Sequence, residues 1–170
     1  MPYRLDVTQG DWPADELGKG VEGLLADSTV LSLATAGHEL GPHANLAFYA
    51  FDADLVLYFV SERSTRHSLH LAEDARASAT VHLPPPAYGE QLRGIQLTGR
   101  AGEAWGKQAE AALAAYRGRY PDFARDSAVR EQFLAGRGAA ALYRLQVEEL
   151  TAVDEPRFGR RNYLRARVVR

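Results

Sequence analysis

Hydroxyls at Ser61, Ser64 and Thr65, followed by Arg66 and His67, gather phosphate-binding chemistry into seven consecutive positions. A turn of this kind over a helix N-terminus offers an anion N–H and O–H donors, a guanidinium fork and the positive end of the helix dipole. That is a phosphate site in outline. The same residues also describe an ordinary capped helix with a solvated arginine, because Ser and Thr are common caps.

Two elements must hold the turn in place. Residues 55–60 are an apolar, β-branched and aromatic run of strand length, which the polar residues 61–64 interrupt. Beyond it Ser64 or Thr65 can cap a helix, with Leu69 and then Ala72 or Glu73 at helical spacing. Before this corner, Leu17, Val21, Leu24 and Leu25 give residues 14–26 an amphipathic helical stripe. Residues 29–36 read as a first strand, 37–42 as a hairpin loop, and 43–51 as a second strand on which His43 and Asn45 share one face by period two. After it, residues 77–83 and 94–101 read as strands, the first stopped by Pro84, Pro85 and Pro86. Residues 107–120 and 127–136 read as helices, and residues 141–148 as an amphipathic strand. Short connections between consecutive strands imply antiparallel pairing, so the expected fold is α+β, a small antiparallel barrel of about six strands with flanking helices.

At 170 residues the chain is sized for a single domain over 1–170, with a core at 28–150 and a basic C-terminal tail at 155–170 that carries six arginines from Arg157 onward. A net charge of −2 provides no general attraction to nucleic acid. The lack of cysteine excludes disulfides, thiolate metal sites and a thiol nucleophile. The N-terminus has no apolar core of signal-peptide length, and no run reaches the roughly 20 apolar residues of a membrane span, so a cytoplasmic location is expected. His67, His70 and Asp74 share a helix face but make a poor metal triad, and no metal site is assigned. The Gly136 to Ala141 stretch spells a loose dinucleotide fingerprint on the wrong side of a helix, and no Gly-x-Ser-x-Gly is present. Trp12 and Trp105 read as packing residues.

Taken together, the segments 31–35, 41–47, 57–61, 64–67 and 95–101 resemble the FMN-binding split-barrel family, whose best-known member is pyridoxamine 5'-phosphate oxidase. The resemblance implies a six-stranded antiparallel split β-barrel with flanking helices, and a homodimer with FMN at the subunit interface and a small-molecule substrate. It implies that Thr65, Arg66 and His67 hold the phosphate and that Phe59, Val60 and Ser61 lie beside the ribityl chain or ring. Ala44, Asn45 and Leu46 would line the isoalloxazine, mostly through backbone groups, with Gln96 as a further polar contact. The family usually has Lys where His67 stands, so phosphate binding is expected to weaken above an imidazole pKa of about 6.5. In place of the oxidase's Arg-x-His ending the chain reads Phe158-Gly-Arg-Arg-Asn-Tyr163, which looks like a subgroup other than the oxidase itself. Arg160 and Arg161 are either substrate contacts reaching over the partner's flavin or part of a solvated tail. The expected function is an FMN-dependent oxidoreductase with a nicotinamide as candidate electron donor, and no side chain is assigned as catalytic acid or base. The alternative is a flavin- or haem-binding module without turnover, for which His43, His67 or His70 would supply an axial ligand.

Overall fold

One long strand, Ala140–Asp154, carries much of the sheet, because its two edges pair with three different neighbours. The computed structural model describes residues 3–39 and 41–170, so Leu40, within the loop expected over 37–42, lies outside the described residues. In chain order the elements are β1 (Arg4–Gln9), α1 (Ala14–Asp27), β2 (Val30–Gly37), β3 (Gly41–Phe51), β4 (Val56–Glu62), α2 (Arg66–Glu73), β5 (Arg76–Leu83), β6 (Arg93–Glu103), α3 (Lys107–Arg119), α4 (Ser127–Leu134), β7 (Ala140–Asp154), α5 (Glu155–Phe158) and β8 (Tyr163–Val169). The order β7-β4-β3-β2-β5-β6 closes through β6–β7 pairing into a six-stranded antiparallel barrel, with β8 and β1 added along the second half of β7. This is the α+β antiparallel barrel that the strand spacing predicts, and the split barrel that the family resemblance implies.

Alternation builds the core. Leu31 and Leu33 from β2, Leu57 and Phe59 from β4, Leu97 from β6 and Leu145 and Val147 from β7 are fully buried, and α1 adds Leu17, Val21 and Leu25. A second cluster forms on the outer wall, where Ala109, Ala112, Leu113 and Tyr116 of α3 cover Ala50, Val56, Tyr58 and Leu142. Arg119 fastens α3 to α1 by donating to the carbonyls of Leu25 at 3.0 Å and Ala26 at 3.1 Å, and to that of Ser28. Carbonyls at a helix C-terminus lack intrahelical partners, so a guanidinium there satisfies them and meets the negative end of the dipole.

Two local features shape the barrel. At the β6–β7 bulge a Cβ on Gly99 would lie 2.0 Å from the Gln146 carbonyl oxygen, so only glycine fits. Between β3 and β4 the ladder holds only from Tyr49↔Phe59 to Phe51↔Leu57; nearer the start of β3 the strands part, while β2 stays paired from Gly37↔Gly41 onward. That opening is the split of the barrel.

The structure corrects the sequence reading at both ends. The N-terminal residues, to which the sequence reading assigns no element, form β1, and the expected basic tail instead forms α5 and β8, the latter antiparallel to β7 and β1. Leu164 and Ala166 are fully buried while Tyr163, Arg165 and Arg167 face outward, so the arginines occupy only the solvent face of a period-two strand. The strand expected over 141–148 continues to Asp154: after the bulge at 148–149 shifts its phase by one residue, Leu150, Ala152 and Asp154 resume the inward positions.

Candidate functional site

Ser61 lies near the end of β4, past its last ladder pair with β3, and Thr65 stands at the N-cap of α2, so the turn between them sits at the mouth of the split. Thr65 does not cap the helix with its side chain. Its hydroxyl instead lies 3.0 Å from Ser61 Oγ, 2.9 Å from Ser68 Oγ and 3.1 Å from His67 Nε2, and Ser61 Oγ lies 2.6 Å from the same imidazole nitrogen. The first N–H groups of α2 therefore keep no side-chain acceptor, and three hydroxyls and an imidazole converge beside them. Arg66, at the first position of α2, is exposed and makes no ion pair among the described residues. The neighbouring Arg63 is committed, donating to both Glu103 carboxylate oxygens and to the carbonyls of Gly136 and Gly138, with its guanidinium 5.8 Å from the ring of Trp105.

Beneath this corner lies a second polar layer. In the β2–β3 register Thr35 opposes His43 and Leu33 opposes Asn45, which turns all four toward the barrel interior under α2. His43 stacks parallel to His67 with ring centroids 6.1 Å apart and meets His70 edge-on at 6.2 Å. His70 is 1% exposed; its Nδ1 lies 3.1 Å from Thr35 Oγ1, whereas its Nε2 is buried without a partner among the described residues. Asn45 Oδ1 is likewise buried without a partner. Buried polar atoms are nearly always satisfied, so two orphans facing one interior mark a place where a polar ligand or water belongs. Gly37 permits the arrangement, because a Cβ there would stand 2.5 Å from His70 Cδ2. Burial, reinforced by His43 and His70, holds the His67 pKa below its ordinary 6.5, so this imidazole is neutral at pH 7.

The expected site residues divide into groups. Ser61, Thr65, Arg66 and His67 come together, with Asn45 on the inner face nearby. Ala44 and Leu46 alternate with Asn45 and lie on the outer face of β3, Leu46 being 73% exposed. Val60 faces outward and is half-buried, whereas Phe59 is fully buried and stacks on Tyr143 at 5.2 Å, out of reach of any ligand on the surface. Gln96 is exposed on β6, paired between Thr80 and Thr151, with two strands between it and β3 either way around the barrel. Arg160, which donates to the Gly89 carbonyl at 3.0 Å, and Arg161 sit at the rim where β5 ends and β6 begins. Because neighbouring strands run antiparallel, that rim is opposite α2, and one chain does not bring these three residues to the corner. Sequence reasoning missed Thr35 and Ser68. Ser68 was legible as the residue one helical turn beyond Thr65; Thr35 needs the β2–β3 register.

What the corner can do is bind an anion. Among the described residues its N–H groups have no side-chain acceptor and the Arg66 guanidinium no ion pair, and beside them stand hydroxyls and a neutral imidazole that gains a proton readily next to negative charge. Among the described residues no cluster of three or more His, Asp or Glu side chains is arranged to hold a metal ion, and no helix is long and apolar enough to cross a membrane.

Solved structures with this fold include a heme-binding protein from Mycobacterium smegmatis (TM-score 0.69, 19% identity, 93% of this chain and 60% of that one). HutZ, the heme storage protein of Vibrio cholerae, aligns with TM-score 0.63 and 15% identity over 80% of this chain and 94% of that one. A candidate pyridoxamine 5'-phosphate oxidase from Listeria innocua aligns with TM-score 0.60 and 14% identity over 81% of this chain and 98% of that one. At these identities the likeness is one of fold, the pyridoxamine 5'-phosphate oxidase-like split barrel. No protein-family model matches the chain. By sequence it is 37% identical over 76 residues to a UPF0306 protein of Citrobacter koseri, covering 44% of this chain and about half (51%) of that relative. The UPF0306 protein PM1958 of Pasteurella multocida is 30% identical over 103 residues, 60% of this chain and 68% of that protein. With two thirds of that relative matched and the split barrel in place, the chain belongs to the UPF0306 family.

Proposed function

We propose that this chain binds FMN at the β4–α2 corner and works as an FMN-dependent oxidoreductase on a small-molecule substrate, with residues 1–170 acting as one cofactor-binding domain. The observation that carries the reading is the side chain of Thr65: it stands at the N-cap yet turns its hydroxyl to Ser61 and Ser68, leaving the start of α2 open beside Arg66, which has no ion pair among the described residues. A structural cap would satisfy those N–H groups itself. In this reading Thr65, Arg66 and His67 hold the phosphate, and Ser61 and the orphaned Asn45 Oδ1 serve polar atoms of the ribityl chain or ring. The buried pair His70 and Thr35 fixes the floor. Bound FMN would supply hydride-transfer chemistry that the side chains lack, with a nicotinamide as electron donor. Ala44 and Leu46 on the exposed face of β3, beside the small outward residues Ala34, Ala36 and Ser78, support a homodimer that covers the ring. Gln96, Arg160 and Arg161 reach the site in this reading only from the partner chain.

A second reading, a haem-binding module without turnover, is favoured by the three-histidine cluster. His43 is its best axial ligand: His70 is enclosed and His67 Nε2 is engaged by two hydroxyls, while His43 is half-buried with no hydrogen bond to its ring among the described residues. The absorption spectrum of the purified protein decides between them. Flavin bands near 450 nm are expected; a Soret band would give the second reading precedence, and no FMN uptake on titration would remove the first.

A further inference from the structure

On the outer wall, Phe48, Val60, Tyr116, Tyr120 and Phe123 line a cavity of about 350 Å³ between β3, β4 and α3. Its volume falls within the ordinary range for small-molecule sites, roughly 300–1,000 Å³. None of the five carries charge, in a chain of which 25% of residues are charged. The protons of its two hydroxyls are engaged: Tyr116 donates to the Phe48 carbonyl at 2.6 Å and Tyr120 to the Tyr49 carbonyl at 2.7 Å. Those bonds pin the end of α3 to β3 and leave aromatic faces and the Val60 side chain toward the cavity. The rings lie 4.8 Å apart for Tyr116 and Phe123, 5.4 Å for Tyr116 and Tyr120 and 6.4 Å for Phe48 and Tyr120, spacings that suit a further ring. Phe48 is 65% exposed and shares the outer face of β3 with Leu46, so the cavity continues the surface assigned above to the isoalloxazine.

We infer that this cavity is the substrate pocket and that it takes a neutral, planar aromatic molecule. The binding claim stands on the cavity alone; its role as the substrate's seat rests on the flavin reading. An anionic ring of the same size is rejected, because nothing in the lining can replace the water that its charge would lose and the aromatic faces repel it.

The test is isothermal titration of the full chain at pH 7 with 2-naphthol and with its anionic counterpart 2-naphthoate, with FMN titrated in parallel. Binding of 2-naphthol is expected, with 2-naphthoate at least about tenfold weaker. Phe48→Ala, at an exposed position that does not endanger folding, should weaken naphthol several-fold, and Val60→Trp should abolish binding by filling the space. Equal affinity for the two probes, or an unchanged affinity in Phe48→Ala, would overturn the inference. So would absence of naphthol binding in a protein whose oligomeric state shifts with Phe48→Ala, which assigns the surface to a second copy of the chain. FMN binding without naphthol binding defeats the pocket alone, and naphthol binding without FMN binding defeats the cofactor reading alone.

Discussion

Arg66→Ala isolates the anion-binding role of the corner from its structural role. Arg66 is exposed at the first turn of α2 and makes no ion pair among the described residues, so truncation strands no buried carboxylate and removes little packing. Its loss should therefore cost FMN binding and spare folding. One charge-assisted hydrogen bond to phosphate contributes about 1.5–3 kcal/mol, a factor of roughly 10–150 in affinity. Solvent competition at this exposed site favours the lower half of that range. The assay is quenching of FMN fluorescence on titration of wild type, Arg66→Ala and Arg66→Lys, each with its thermal midpoint. Arg66→Lys should recover part of the affinity, since it restores the charge without the planar fork. Arg63→Ala is the contrast, for it breaks the bidentate pair with Glu103 and should lower the thermal midpoint. Wild-type affinity in a folded Arg66→Ala protein would refute the assignment of phosphate to this turn.

Because burial lowers the His67 pKa in the free protein and a bound dianion would raise it, FMN binding should take up a proton and tighten as pH falls across the imidazole range; His67→Lys should flatten that profile between pH 6.5 and 8. The same depressed pKa means that the unfolded chain binds this proton more readily, so its stabilising contribution is complete above about pH 6.5 and is lost as pH falls through the lower folded value, a loss that denaturant midpoints of wild type and His67→Asn will show. Gly99→Ala should destabilise by about 3 kcal/mol, because a backbone carbonyl 2.0 Å from the new Cβ cannot move aside, whereas Gly118→Ala, in an exposed helical position with open space around it, should stabilise by up to about 1 kcal/mol in urea titrations. Leu164→Asp should cost about 3 kcal/mol or more if β8 is integral to the sheet, and an unchanged urea midpoint would return residues 163–169 to the status of a tail.

The barrel was legible because its strands alternate cleanly and the connections between most of them are short. The strand–turn–helix corner was legible for the same reason: 55–60 is apolar and 61–65 is not. What stayed hidden depends on direction rather than composition. Nothing in the order Ser-Thr-Arg-His indicates that Thr65 aims its hydroxyl at Ser61 instead of at its own helix, nor that Phe59 is sealed against Tyr143 while Val60 faces out. The meeting of His43 with His67 and His70 requires knowing that β3 leaves β4 after three pairs. Charge concealed β8, whose outward arginines gave the sequence a tail's composition and whose two buried apolar residues were too few to outweigh them.

The short ladder between β3 and β4 also bears on how the molecule breathes. Over 43–48 every second amide of β3 faces the gap and has no cross-strand acceptor in β4, so these protons should exchange with deuterium orders of magnitude sooner than those of β7, which is flanked on both sides. A guest seated along that margin would slow their exchange without any change of shape, which makes the gap a built-in reporter of occupancy.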